Sequence, residues 1–311
     1  MTGSSARFGS TVTAMVTPFD ADGALDADGA ARLARWIVDN GSDGLVVAGT
    51  TGEAPVLTDD ELATLLRAVR EAVTVPVLAG TGSNDTAHSI GLTKLAADAG
   101  VDGVLLVTPY YNRPSQQGIA AHFRAVAGST GLPVILYDIP VRAGRRITAE
   151  TMLGLAREVP NIVGVKDASG DLPGAAALVH EAPPGFCVYS GDDALTLPFM
   201  AVGAVGIVSV ASNWAPSEMS EMVSSFAKGD VEGARLANAR LLASFAFESS
   251  EAYPNPLPAK AALRALGLPS GQCRLPMGPA PAELDDLARR VLAGLGRSTA
   301  PGGRVGGGPV A

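Results

Sequence analysis

Lys166 closes a short β-branched run, Ile162-Val163-Gly164-Val165, and Asp167-Ala168-Ser169-Gly170 follow it. Pro160 precedes the run, so the pattern predicts a buried strand carrying the lysine at its C-terminal end. An ammonium at the edge of a core is poorly hydrated, and desolvation favours the neutral amine. A neutral amine attacks a carbonyl carbon and gives a Schiff base. The rival reading is a lysine whose stem lies along apolar surface while its head reaches water. The other strand ends have to decide between the two.

They carry complementary chemistry. Gly49-Thr50-Thr51-Gly52-Glu53 sets two hydroxyls in a glycine-bounded turn, able to hold a small carboxylate or to cap a helix. Thr108-Pro109-Tyr110-Tyr111-Asn112 offers two phenols, either a proton carrier or a packing pair. Tyr137-Asp138-Ile139-Pro140-Val141-Arg142-Ala143-Gly144 adds a phenol and a guanidinium. Ser190-Gly191-Asp192-Asp193 and Ser209-Val210-Ala211-Ser212-Asn213 end two further apolar runs. Each motif alone has an ordinary structural explanation. Together they supply a nucleophile, a proton carrier and carboxylate binders, the set that carbonyl chemistry on a keto acid requires.

Short apolar runs predict the elements that must position these groups. Strands are expected within 9–19 and over 44–48, 75–79, 101–107, 133–137, 162–166, 186–189 and 205–210. Helices are expected between them, over 26–40, 58–72, 85–99, 116–127, 148–158 and 172–180, with Thr58 and Glu61 spaced as a capping box. Strands without polar alternation belong in a parallel sheet covered on both faces. Eight of them alternating with helices predict a (β/α)8 barrel, whose active site lies at the C-terminal strand ends. From Pro216 onward the pattern is helical only, over 216–228, 231–249, 258–266 and 281–295. The expected organisation is a disordered start over 1–7, a barrel over 8–225, a helical extension over 226–296 and a Gly/Pro-rich disordered tail over 297–311.

Composition narrows the function class. Of 311 residues, 47% are apolar and 17% charged, enough for a sizeable core, and a net charge of −8 argues against a nucleic-acid surface. Two cysteines and three scattered histidines suggest neither a disulfide framework nor a metal site. No apolar run approaches the roughly 18 residues of a membrane span, and no signal-peptide pattern opens the chain. A cytoplasmic protein is expected.

The ordered set of motifs resembles the dihydrodipicolinate synthase family, within the pyruvate-dependent aldolases and lyases that also include N-acetylneuraminate lyase. The resemblance runs over about residues 8–296. It is carried by Gly49-Thr-Thr-Gly-Glu53, Tyr110-Tyr111, Tyr137-x-x-Pro140-x-Arg142-x-Gly144, Gly164-Val-Lys-Asp-Ala-Ser-Gly170, Gly206-Ile-Val-Ser-Val210, Pro254-Asn-Pro-Leu-Pro-Ala-Lys260 and Arg274-Leu-Pro-Met277. It implies that Lys166 forms an imine with pyruvate, with Thr50 and Thr51 at the pyruvate carboxylate or its surroundings. Tyr137, Thr50 and Tyr111 would relay protons, Tyr111 reaching across from a neighbouring subunit of a homotetramer. Arg142 would bind the carboxylate of aspartate semialdehyde, and Gly191 and Val208 would approach the pocket through backbone. No cofactor or metal is implied, because the covalent imine does that work.

Departures from the family pattern bear on substrate and control. The common Asn-x-Pro-Ser-Arg-Thr-Gly reads here as Asp138-Ile-Pro-Val-Arg-Ala-Gly144. Arg142 remains, which favours the synthase over relatives acting on sugar acids. In lysine-inhibited relatives the effector site corresponds to Ala54, Pro55, Asp59, Asn84, His88 and Tyr110. His88 falls where those relatives have glutamate, and Asp59 where they have histidine. Weak or absent lysine inhibition is therefore expected.

Overall fold

Eight strands pair parallel and in chain order, and the last returns to the first, so the sheet closes. They are β1 (Thr11–Ala14), β2 (Gly44–Val47), β3 (Val77–Gly80), β4 (Gly103–Val107), β5 (Val134–Asp138), β6 (Ile162–Asp167), β7 (Cys187–Ser190) and β8 (Gly206–Ser209). This computed structural model describes residues 6–299; the expected disorder at 1–5 and 300–311 lies outside the described residues. The expected (β/α)8 barrel with a C-terminal helical part is what forms. The strand expected within 9–19 pairs only over Thr11–Ala14, and Val16 instead donates its amide to Asn213 Oδ1.

Closure explains why the strands read as unbroken apolar runs. Alternate residues such as Leu45, Val47, Leu106, Leu136 and Ile207 face the helices. Their neighbours Val46, Leu78, Leu105, Ile135, Tyr137, Tyr189 and Val208 share a second cluster, which fills the barrel interior. Phe8 belongs to that inner cluster, its amide donating to Tyr189 Oη at 3.3 Å.

The helices that follow the strands start, in six cases, at a capping side chain. They are α1 (Ala27–Asp39), α2 (Asp59–Ala72), α3 (Thr86–Asp98), α4 (Gln116–Ala127), α5 (Pro140–Ala143), α6 (Ala149–Glu158), α7 (Leu172–Glu181), α8 (Thr196–Ala201) and α9 (Pro216–Ala227). Asp26, Asp85, Ser115, Thr148 and Asp171 each accept a first-turn amide, and Thr58 with Glu61 forms the full capping box. Three more helices follow: α10 (Val231–Glu248), α11 (Leu257–Ala265) and α12 (Ala282–Gly294). Arg297, at the start of the expected tail, ion-pairs with Glu218 at 2.6 Å and lies over the Trp36 ring.

Two helices were not expected from sequence. α5 is a single turn, started by Pro140 at its first position and ended by Gly144 in the left-handed region, so Arg142 sits on a helix rather than in a loop. α8 is buried at Thr196, Phe199 and Met200, leaving no amphipathic period to read.

Candidate active site

The site grows from a slip in register between β5 and β6. Val134 pairs with Ile162, but Ile135 pairs with Gly164, so β6 holds one extra residue there. Ile162 faces the helix layer, and by strict alternation Lys166 would face it too. The bulge reverses the phase. Lys166 then pairs with Tyr137, a residue of the inner cluster, and its Nζ lies 4.3 Å from the centre of the Tyr137 ring. Lys166 is only 4% exposed and Tyr137 5%. An ammonium over an aromatic face in a dry site is held electrostatically.

A carboxyl pair stands on the far side. Asp193 accepts from the Ser209 hydroxyl and, at 2.8 Å, from the Val210 amide, which fixes the end of β8. Burial pushes the Glu248 carboxyl well above its ordinary range, Asp193 adds to the rise, and the Lys166 ammonium opposes it.

The turn after β2 supplies the hydroxyls. Glu53 takes a left-handed backbone, φ 55°, and starts the short turn Ala54–Val56. Its carboxylate is pinned by Lys260 Nζ at 2.6 Å and by the Arg274 amide at 2.9 Å. Thr51 Oγ1 accepts from Asn255 Nδ2 at 2.9 Å, and the Asn255 carbonyl accepts from Arg142 Nη2 at 3.2 Å. One residue of the C-terminal part thus joins the turn after β2 to the helix after β5.

These groups border a cavity of about 580 Å3, whose wall includes Thr50, Tyr110, Tyr111, Tyr137, Arg142 and Asn255. Lys166 is not on that wall; its amine lies over the ring of Tyr137, which is. Thr51 is buried behind it on Asn255. Gly191 donates its amide to the Asp167 carbonyl at 2.7 Å, and a Cβ there would stand 2.8 Å from Ala168 Cβ, so this glycine lets β7 close against the end of β6. Val208 lies in the barrel interior. Tyr111 is unlike the rest: it is 89% exposed with φ 73°, a strained backbone for a bulky residue. Among the described residues no hydrogen bond joins the Thr50, Tyr137 and Tyr111 hydroxyls.

The model of the dihydrodipicolinate synthetase family matches residues 7–293. The chain belongs to that family. The 4-hydroxy-tetrahydrodipicolinate synthase of Moorella thermoacetica is 55% identical over 273 residues, 87% of this chain and 92% of that one. The Bacillus subtilis enzyme of the same name is 48% identical over 275 residues, 88% and 94% of the two chains. A crystal structure of dihydrodipicolinate synthase from Bacillus anthracis superposes with a TM-score of 0.88 at 46% identity, covering 92% of this chain and 98% of that one. That from Cyanidioschyzon merolae with lysine bound gives 0.88 at 45% identity, covering 93% and 98%.

Within this dihydrodipicolinate synthetase fold, sequence reasoning missed what Glu53, Asn255 and Lys260 do. All three lie in the quoted motifs, but their meeting depends on contacts between residues some two hundred apart in sequence. The local hint was Lys260, a charge in the middle of a mostly apolar helix, where it is fully buried. Among the described residues no group of three or more His, Cys, Asp or Glu is placed to hold a metal ion, and no helix is long and apolar enough to cross a membrane.

Proposed function

We propose that the chain is a 4-hydroxy-tetrahydrodipicolinate synthase, joining pyruvate to L-aspartate-4-semialdehyde through an imine on Lys166. The observation that carries the reading is the buried Lys166 amine paired with Tyr137 beside a cavity that also presents Arg142. The amine adds to the keto carbon of pyruvate and water leaves. Loss of a methyl proton gives the enamine, whose carbon attacks the aldehyde. The amino group of the second substrate then closes the ring on the imine carbon and frees Lys166.

Each step moves a proton, and a phenol beside a hydroxyl is suited to carry it. Tyr137 and Thr50 are the two candidates on the cavity wall. Tyr111 is the third member, and its exposure supports donation to a neighbouring subunit, in a homotetramer built as a dimer of dimers. Thr51 steadies the turn that meets the pyruvate carboxylate, and Gly191 and Val208 shape the floor. Arg142 receives the second carboxylate, because a planar guanidinium meets one bidentately. The imine takes the place of a cofactor. The setting is the cytoplasm, in the route to diaminopimelate and lysine.

A coupled assay with pyruvate and a panel of aldehydes tests the reading. Turnover with aspartate semialdehyde alone is expected. Preference for a polyhydroxylated aldehyde would reassign the chain to a sugar-acid aldolase, and pyruvate binding without turnover would make it a keto-acid sensor.

A further inference from the structure

Asp138 is the last residue of β5, one position past Tyr137, and its partner across the sheet is Asp167, one position past Lys166. It stands where the family pattern has an amide. The side chain is fully buried. Its main-chain carbonyl accepts from Ala168 at 2.9 Å, and its Oδ1 accepts from the Ile147 amide at 2.9 Å. The segment 139–147 between Asp138 and Ile147 contains α5 and Arg142. The Asp138 side chain therefore ties the start of the loop that presents Arg142 to its end, alongside Gln116, which donates to the Arg146 carbonyl at 2.9 Å.

The second oxygen is in a different position. Oδ2 is buried with no hydrogen-bond partner. Two charged groups face it. Asp167 comes from β6, its own Oδ1 held by the Ser169 amide at 2.8 Å. Arg146, just before α6, holds its Nε 4.0 Å away. Its Nη1 is already bound to Asp171, the cap of α7, at 3.0 Å. Burial pushes the Asp138 carboxyl up to about 7; the Ile147 amide pulls it down, Asp167 adds to the rise and Arg146 opposes it.

As a neutral acid the carboxyl keeps its bond to Ile147 and places no charge in the core. As a carboxylate it accepts more strongly from Ile147, but the buried charge against Asp167, with only an occupied guanidinium nearby, outweighs that gain. Relief requires Oδ2 to move towards Arg146 or water, which draws on the 139–147 loop and on the Arg142–Asn255 contact. We propose that Asp138 is a positioning residue for the second substrate, locking the Arg142 loop to β5 as the neutral acid and relaxing it on ionisation. The inference rests on Arg142 receiving the aldehyde substrate.

The test compares the natural protein with Asp138→Asn between pH 6 and 9. Asparagine keeps the acceptor and cannot ionise. In the natural protein the KM for aspartate semialdehyde should rise, by up to about tenfold at pH 8 if only the neutral form binds, while the KM for pyruvate stays level. Asp138→Asn should remove the rise. Asp167→Asn, which takes away the neighbouring charge, should move the midpoint to lower pH, and it serves if Asp138→Asn does not fold. An equal rise in Asp138→Asn, or one shared by pyruvate, overturns the proposal. Hydrogen exchange at the Ile147 amide reads the lock without turnover: extra opening above pH 7 in the natural protein only is expected, and equal exchange in both overturns it. If neither protein condenses the two substrates yet exchange behaves as expected, the substrate assignment fails and the lock stands.

Discussion

Glu53 and Lys260 meet 2.6 Å apart between the turn after β2 and helix α11, with both side chains buried. Lys260 also donates to the Gln272 carbonyl at 3.0 Å and lies over the Phe19 ring. Burial lowers the Lys260 pKa and Glu53 raises it, so the charged state depends on the partner. Removing one partner strands the other charge. Lys260→Met should destabilise the chain by about 3–5 kcal/mol in denaturant unfolding, and Glu53→Gln by a similar amount. The double variant should recover much of the loss; additive losses would mean that the pair is not coupled.

Lys166 is the expected site of covalent trapping. Pyruvate with borohydride should leave one reduced pyruvyl group on the peptide that contains Lys166, and Lys166→Ala should abolish it. Lys260 is locked in its ion pair and should stay unlabelled, as should Lys94. Peptide mass spectrometry decides, and label on either of those two would remove Lys166 from its role.

Arg142 should discriminate between the two substrates. Its guanidinium is exposed, donates to the Asn255 carbonyl at 3.2 Å and remains open to an incoming carboxylate. Arg142→Ala should weaken aspartate semialdehyde by about 2–3 kcal/mol, the range for a hydrogen bond to a charged group. Imine formation with pyruvate should survive. Steady-state kinetics with each substrate varied separates this from a general collapse of the site, which would weaken both.

Asp138 also predicts how stability follows pH. Its folded pKa, about 7, stands above the ordinary 3.8, so between those values the folded chain binds more protons than the unfolded one. Its contribution is full below about pH 4, declines as pH rises, and is gone above about pH 7. A shift of this size corresponds to about 4 kcal/mol as an upper bound. Asp138→Asn should flatten that decline, measured as urea midpoints at pH 5 and pH 8. A natural protein equally stable at both would argue against a raised value.

Lysine should inhibit weakly or not at all near neutral pH. Asp59 and His88 line the same cavity. A cationic effector needs an anion beside its amino groups, which imidazole cannot provide. Asp59 restores a carboxylate, but from the first turn of α2 rather than from α3, so the contact geometry changes. Initial rates against a lysine titration check this, and half-inhibition far below millimolar would refute it.

Much of the scaffold was legible because its signals are local. A buried parallel strand is apolar on both faces, and Thr58 with Glu61 marks a helix start within four residues. Lys166, Tyr137 and Arg142 were legible as polar groups ending apolar runs. The turn of α5 was not, since Pro140 and Gly144 read as loop punctuation and four residues show no period. Nor was the direction of Lys166, because Val163 and Gly164 suit either face of a strand. The bond from Asn255 to Thr51 was out of reach for another reason: neither residue carries a local sign of the other.

In β6 the facing of the side chains is set by count rather than by composition. Exchanging Val163 for another β-branched residue leaves the amine in the barrel interior. Pairing Val163 with Ile135, with no bulge, would turn Lys166 into the helix layer and bring Val165 inward, whereas deleting Val163 restores strict alternation and keeps Lys166 opposite Tyr137. Substitutions here can accumulate across generations with little effect on the chemistry, as long as the bulge still absorbs the extra residue.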